Sequence, residues 1–92
     1  MTMPTISMFF GMVIVMYWRD HAPPHFHCHY QGYEGSILLE TGELVDGDLP
    51  RTARRLLRDW TKRHRAELME NWRRARLGMP LLAIQGADED DE

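Results

Sequence analysis

Four histidines and the only cysteine of the chain lie within ten residues, HAPPHFHCHY, at positions 21 to 30. Between His25 and Tyr30, polar and apolar residues alternate as in a β-strand, so His25, His27 and His29 share one face of the predicted strand. Alternate strand positions are about 6.5 to 7 Å apart, close enough for neutral imidazoles to share one ion. The stretch is therefore a candidate site for metal binding.

The loop before this strand offers further ligands. Asp20 and His21 precede the double proline Pro23-Pro24, whose restricted backbone angles stiffen the loop and direct the chain into an extended strand. Three histidines, or two histidines and a carboxylate, leave a coordination position open, as catalytic zinc and non-haem iron sites do. The candidate metal ligands are His21, His25 and His27, with His29 as a weaker candidate, and zinc or another divalent transition metal is the candidate ion.

Two other interpretations of the histidines stay open. One face of an antiparallel sheet is often solvated, and histidines are tolerated there without any ligand. Histidine also titrates near neutral pH, so the same side chains could act as general acid and base. Cys28 faces the other way, with Phe26 and Tyr30, which predicts a small buried hydrophobic residue.

Size and composition limit the possible classes of protein. With 92 residues, of which 43% are hydrophobic, the chain suits one domain with one modest core. A single cysteine excludes an intramolecular disulfide framework and a four-cysteine zinc site. The apolar run at residues 8–18 is shorter than the roughly 20 residues of a membrane-spanning helix and lacks signal-peptide flanks. We therefore expect a cytoplasmic protein without a membrane partner.

The chain up to residue 46 predicts an antiparallel sheet. Its segments are rich in β-branched and aromatic residues, or alternate polar with apolar residues, and are separated by turn residues such as Gly11 and Thr41-Gly42. The predicted strands are residues 5–10, 12–18, 25–31, 33–40 and 43–45. The fold class is therefore α+β, with a meander of about five strands within residues 5–46.

Residues 50–77 predict a helix pair or one bent helix. Pro50 suits a first helical turn, with Asp48 as a candidate cap. A straight helix of this length would measure about 40 Å, too long for the domain, so a bend near residues 63–66 is expected. Apolar residues recur at threes and fours, and those expected to pack on the sheet are Leu56, Leu57, Trp60, Leu68 and Trp72. His64 lies on the same stripe and is expected to be a hydrogen-bonded core or interface histidine.

The C-terminal part divides at residue 85. Gly78 and Pro80 end the helical region, and PLLAI predicts a short strand or extended segment. The single domain is placed at residues 3–85. Residues 86–92 contain five carboxylates and no residue that needs burial, which predicts a disordered acidic tail.

Positive charge is concentrated in the helical region. Residues 51–76 hold ten of the eleven basic residues against three acidic ones, giving +7 in a chain whose total is −3. This face suits solvent, a partner protein, or a nucleic-acid backbone bound with salt-dependent affinity, and the acidic tail could fold onto it. The candidate partner-binding residues, spaced by threes and fours, are Arg51, Arg54, Arg55, Arg58, Lys62 and Arg65.

Several short motifs carry a family resemblance over roughly residues 3–84. They are Met3-Pro4-Thr5-Ile6, Phe9-Phe10-Gly11, Met16-Tyr17, Asp20-His21-x-Pro23-Pro24-His25-Phe26-His27, Gly32, Leu49-Pro50, Trp60, His64-x-x-Glu67-Leu68, Asn71-Trp72 and Pro80. In these the chain resembles the small prokaryotic proteins catalogued as domain of unknown function 4160. The resemblance implies a small α+β domain, often encoded beside a second small protein in arrangements similar to toxin-antitoxin pairs. Cys28 and His29 stand where the family has a valine and an acidic residue, so the resemblance implies no role for His29.

Two functions of different classes follow as expectations. The first is a small interaction or regulatory module, associated with a toxin-antitoxin-like arrangement, whose partner is a second small protein or a nucleic acid bound by the basic helix. The alternative is a metal-dependent hydrolase or ribonuclease-like toxin that uses the cluster of His21, His25 and His27 as ligands or as acid–base groups.

Overall fold

The structure, a computed structural model that describes residues 4–90, contains five strands followed by two helices. The elements are β1 (Thr5–Phe9), β2 (Met12–Val15), β3 (His25–Tyr30), β4 (Tyr33–Leu38), β5 (Leu44–Gly47), α1 (Arg51–Arg63), α2 (Arg65–Leu77) and a short 3-10 helix (Ala87–Glu89). The strands lie in the sheet in chain order, and each pair is antiparallel. The predicted α+β fold with a five-stranded antiparallel meander is confirmed.

The core lies between the sheet and the two helices. Trp60 of α1 is 1% exposed, and its ring packs against Phe9 at 4.9 Å and Phe26 at 5.6 Å between centroids. Of the helical residues predicted to pack on the sheet, all but one are buried: Leu57, Trp60, Leu68 and Trp72. Leu56 is half-buried and packs against the same core. The periodic apolar stripe therefore predicted the core face of the helices.

The helical region is interrupted at a single residue, His64. Its φ of −111° and ψ of 22° end α1 and start α2, within the range predicted for a bend. The domain measures only 33 × 29 × 26 Å, so a continuous helix of about 40 Å would extend beyond it. His64 is buried, and its ring bonds to Glu67 and Asp90.

No helix within residues 4–90 is long and apolar enough to cross a bilayer.

The C-terminal segment is extended and runs beside β1 without becoming a strand of the sheet. Ile84 donates its backbone N–H to the carbonyl of Ile6 at 2.8 Å, and the Ser7 hydroxyl donates to the Ile84 carbonyl at 2.8 Å. Asn71 of α2 makes two 2.8 Å bonds to the backbone of Leu82. These bonds cover the β1 edge, so β5 is the sheet edge without such a cover among residues 4–90.

The structure describes residues 86–90 of the acidic tail. Ala87 packs against the core, Asp88 and Glu89 are exposed, and the Asp90 side chain is only 8% exposed. Its carboxylate lies 2.9 Å from His64 Nε2 and 3.5 Å from the Arg63 guanidinium. A carboxylate can be buried where a histidine and an arginine pair with it. Residues 1–3, 91 and 92 lie outside the described residues.

Candidate functional site

The central strand β3 presents the histidines. Phe26 and Cys28 point into the core and are fully buried, so His25, His27 and His29 lie on the opposite face of β3, named here the histidine face. His25 is 6% exposed, and its ring centroid lies 5.0 Å from that of His27. Because β3 pairs with β2 on one side and β4 on the other, its backbone holds these side chains in fixed positions.

A loop at residues 16–24 carries Asp20 to the histidine face. Strand β2 ends at Val15, whereas the predicted strand continued to residue 18. The loop that follows is bonded to the end of the helical region. Arg19 has a positive φ of 58° and donates its backbone N–H to the Ala75 carbonyl at 3.1 Å, while the Trp18 indole donates to the Met79 carbonyl at 2.9 Å. These anchors set the position of Asp20 next to β3.

Asp20, His25 and His27 bring three ligand atoms together. Asp20 Oδ2 lies 3.0 Å from His25 Nε2 and 3.2 Å from His27 Nε2, and all three atoms lie within 4.8 Å of one another. With metal–ligand bonds of about 2.1 Å, neighbouring ligand atoms are separated by roughly 3.0 to 3.4 Å in octahedral or tetrahedral sites. The two distances from the carboxylate already match that spacing.

The second nitrogen of each ring has its own partner. His25 Nδ1 donates to the Pro23 carbonyl at 2.7 Å, and a carbonyl can only accept, so this nitrogen carries the proton. His27 Nδ1 lies 3.2 Å from the Ser36 hydroxyl. Bonds of this kind fix the tautomer and orientation of metal-binding histidines. In the neutral His25 ring, Nε2 therefore presents a lone pair toward Asp20.

The geometry of the contact between His25 and Asp20 suits a positive charge between the two side chains. With Nδ1 protonated, Nε2 of a neutral His25 and Oδ2 of Asp20 would place two lone pairs 3.0 Å apart. Either a second proton on the ring or a metal ion removes this repulsion. The geometry suits an imidazolium–carboxylate pair or a cation bound between the same atoms, and each choice predicts a different response to added metal.

The Asp20 carboxyl group is ionised at neutral pH. Burial favours the protonated acid, but hydrogen bonds from His27 and the His21 backbone, together with the charges of His25 and His21, outweigh it and hold the pKa of Asp20 below its ordinary value of 3.8. The cluster thus contains one full negative charge next to two imidazoles. An anionic oxygen with two nitrogens is a ligand set that suits zinc or iron.

Two of the sequence-predicted ligands lie away from this cluster. The His21 side chain is 83% exposed and meets the other oxygen of Asp20, with its Nδ1 2.9 Å from Oδ1. His29 lies further along β3, where its Nδ1 is 3.9 Å from Glu34 Oε1. The structure therefore brings together His25, His27 and Asp20, leaves His21 at the rim, and separates His29 from the site.

His25 and His27 of the cluster line an open cleft of about 270 Å³. The cleft is lined by His21, Pro23, His25, His27, Ser36, Leu38, Val45 and Asp46. A larger groove of about 410 Å³, between β1 and the C-terminal segment, contains no histidine.

Sequence reasoning missed the roles of Ser36 and Asp46. His27 pairs with Ser36 across β3 and β4, and Ser36 pairs with Asp46 across β4 and β5, so the three residues form one row across the sheet. The predicted strand at residues 43–45 ends before Asp46, so the sequence assigns no role to its carboxylate. Only the strand register, which the sequence does not show, places its carboxylate in the histidine cleft.

Comparison with known families agrees with the resemblance seen in the sequence. The sequence profile described as Domain of unknown function (DUF4160) matches residues 11–73, more than half of the chain. The chain belongs to the DUF4160 family. No curated protein and no solved structure matches it. The matched range contains Asp20, His25, His27 and Asp46 as well as all of α1, so the candidate site lies within the DUF4160 domain, whereas Asp90 lies outside the match.

The candidate partner-binding residues of this DUF4160 domain separate into two groups. Arg51, Arg54, Arg55 and Arg58 of α1 line a groove of about 350 Å³ together with Glu43, and this set is named here the arginine groove. Arg65 belongs to α2 and donates to the backbone carbonyls of Leu39 at 3.0 Å and Glu40 at 2.9 Å. Lys62 is exposed but does not line the groove. The acidic tail contacts Arg63 and His64, not the groove, over the residues described.

Cys28 is buried in the core, as predicted for a small hydrophobic residue. Burial raises the pKa of its thiol to about 12, so the group is uncharged at neutral pH and cannot act as a nucleophile or ligand in the folded protein. We expect a disulfide reagent such as dithionitrobenzoate to react with the native protein at least about 100-fold more slowly than with the urea-unfolded chain at the same pH. Equal rates would contradict this burial.

Proposed function

We propose that this DUF4160 domain binds one divalent transition metal ion, with zinc as the first candidate, and uses it for hydrolysis in the histidine cleft. The ligands are Asp20, His25 and His27. The observation that carries the proposal is the convergence of three ligand atoms. The two histidine rings are each held by a separate partner, His25 by the Pro23 carbonyl and His27 by the Ser36 hydroxyl. A set of two histidines and one carboxylate leaves coordination positions open for water and substrate.

An open cleft favours a catalytic over a structural site. Structural zinc sites are usually closed by four protein ligands, whereas catalytic ones keep a position free. Here two of the three ligands, His25 and His27, line a cleft with room for a small group of substrate atoms. A bound ion would polarise a substrate oxygen and lower the pKa of bound water.

Two cleft residues outside the ligand set can move protons. Asp46 faces the cleft from β5 and can accept the proton that an attacking water loses. His21, at the rim and largely exposed, can give a proton to the leaving group. In this assignment the attacking oxygen bonds to the electrophilic atom of the substrate as the bond from that atom to the leaving group breaks. The leaving group departs with a proton from His21 or from solvent, and solvent restores the residues.

Metal stoichiometry tests the proposal directly. We expect full-length protein, purified without a histidine tag, to bind one equivalent of zinc by elemental analysis and calorimetry, and the His25→Ala/His27→Ala variant to bind none. The matched control is His29→Ala, which removes an imidazole from the same face of the same strand and should keep the metal. Bound metal should also raise the Tm of the wild type and not that of the double variant.

Two results would contradict the proposed metal site. If wild type binds no stoichiometric metal while all variants fold as judged by circular dichroism, the cluster is an ion pair between Asp20 and a protonated histidine. If His29→Ala loses the metal as fully as the double variant, the ligand set is wrong.

A second candidate function is the interaction module. It is favoured by the side chains of Arg51, Arg54 and Arg55, which take part in none of the ion pairs or side-chain hydrogen bonds formed within residues 4–90. Such a module would bind a second small protein, as the family resemblance implies, or a nucleic acid. We also propose a cytoplasmic location, which the single thiol supports.

A further inference from the structure

The arginine groove and the histidine cleft both adjoin the edge strand β5, because Glu43 of the groove directly precedes β5 and two β5 residues line the cleft. Leu44 of β5 packs against the core on the side covered by α1, whereas Val45 and Asp46 line the histidine cleft on the other side. Glu43, which lines the arginine groove, is three residues from Asp46, a distance of about 10 Å along an extended chain. A flexible polymer that crosses the β5 edge would contact both surfaces.

The composition of the groove favours a polyanion over a folded protein partner. Its lining is four arginines and one glutamate, without an apolar or aromatic side chain. Protein interfaces are organised around a buried apolar or aromatic centre, which this groove lacks. Arginine forks at regular helical spacing suit phosphates that repeat along a strand, and affinity of that kind is electrostatic.

The path over the β5 edge favours a single strand over a duplex. A duplex is stiff over about 150 base pairs and does not bend around the edge of a small sheet without a large cost. A single strand bends freely, and the cleft volume of about 270 Å³ admits a small part of a chain. Groove and cleft together therefore fit one extended, flexible and regularly charged chain.

We infer that the arginine groove binds the phosphate backbone of a single-stranded nucleic acid and places one phosphodiester in the histidine cleft as the hydrolytic substrate. The second half of this inference rests on the proposed function. In the cleavage step water forms a bond to phosphorus as the bond from phosphorus to the leaving oxygen breaks. The water proton goes to Asp46, and the leaving oxygen takes a proton from solvent in the open cleft.

Binding is tested first without metal, in a chelator, so that it is independent of the proposed function. The probe is a fluorescently labelled single-stranded RNA of about 12 nucleotides, within the usual site size of single-strand binders, and anisotropy is measured between about 50 and 200 mM salt. The variant is Arg51→Gln/Arg55→Gln, and the matched control is Arg73→Gln/Arg76→Gln, which removes two exposed charges from α2.

We expect salt-dependent binding by wild type, with a slope of log affinity against log salt near −0.7 for each phosphate contact. The Arg51→Gln/Arg55→Gln variant should lose about 1.4 of that slope and at least about tenfold in affinity, while the α2 control keeps both. If both variants lose the same affinity and slope, binding depends on the overall positive charge and not on the groove, which would overturn the inference. Poly-glutamate of matched charge binding more tightly than RNA would assign the groove to an acidic protein instead.

Cleavage in the presence of zinc separates this inference from the proposed function. Wild type should cleave the RNA, Arg51→Gln/Arg55→Gln should raise KM, and His25→Ala/His27→Ala should bind the RNA but lose turnover. If zinc and RNA both bind and no cleavage follows, the substrate assignment is wrong although the metal site stands. If RNA binds and zinc does not, the proposed hydrolase fails and the groove stands as a nucleic-acid surface.

Discussion

Replacing Asp20 by asparagine is expected to weaken zinc binding by at least about 100-fold. The change keeps the size and shape of the side chain but removes the negative charge that lies 3.0 Å from His25 Nε2 and 3.2 Å from His27 Nε2. Loss of an outer-shell partner of a metal ligand costs about 10- to 100-fold in affinity, so loss of an anionic ligand itself should cost at least the upper value. Zinc titration by calorimetry measures the change.

The matched control is Asp46→Asn, which makes the same chemical change within the same cleft. Because Asp46 is a lining residue and not one of the three converging ligands, this variant should bind zinc as wild type does. In the proposed hydrolysis it should still lose turnover, typically by about 100-fold or more, because it removes the proton acceptor. The two asparagine variants thus separate ligation from proton transfer.

Two outcomes would contradict this assignment. If Asp20→Asn binds zinc as tightly as wild type, the carboxylate is not a ligand and its contacts with the histidines are ion pairs only. If both variants lose zinc equally, the ion is bound through diffuse negative charge in the cleft. Circular dichroism of each variant without metal distinguishes these results from a failure to fold.

Local sequence patterns predicted the elements of the fold. Alternation at period two gave the face on which His25 and His27 lie, and apolar spacing at threes and fours gave the helix face that buries Leu57 and Trp60. The interruption at His64 followed from length, because a straight helix does not fit the size of the domain. Each of these features depends on residues close together in the chain.

The features that the sequence could not predict depend on contacts between distant parts of the chain. Asp20 reaches the histidines because Arg19 bonds to Ala75 at the end of α2. Asp46 reaches the cleft because an irregularity in the pairing of β4 with β5 sets the register. The Asp90 side chain is buried because it pairs with the His64 ring at the helix break. In the sequence Asp46 and Asp90 look like ordinary surface carboxylates, whereas Asp20 is already a possible ligand there.

The same break explains why Arg65 lies apart from the other candidates on the basic face. On a continuous helix, Arg65 would follow Arg58 and Lys62 at the same spacing of threes and fours. The interruption at His64 changes the direction of the chain, and Arg65 instead bonds to the backbone after β4. A helical pattern therefore predicts neighbours only as far as the helix continues.

Replacing Trp60 by alanine is expected to lower the free energy of unfolding by about 3 to 5 kcal/mol, a large share of the stability of a domain of this size. The ring is 1% exposed and lies 4.9 Å from Phe9 and 5.6 Å from Phe26 between centroids. Its indole also donates to the Gln85 carbonyl at 2.9 Å, which connects the C-terminal segment to α1. Removing the ring leaves a cavity between the sheet and the helices.

Trp18→Ala is the matched control because it removes the same side chain from the loop that carries Asp20. Trp18 is 43% exposed and has one hydrogen bond, to Met79, so its loss should cost only about 1 kcal/mol. It should nevertheless weaken zinc binding, because the loop then holds Asp20 less firmly against the histidines.

Urea unfolding followed by circular dichroism measures stability, and calorimetry measures zinc affinity. Equal losses of stability in the two variants would show that the core is not centred on Trp60, and unchanged zinc affinity in Trp18→Ala would show that the Trp18 anchor does not position the carboxylate.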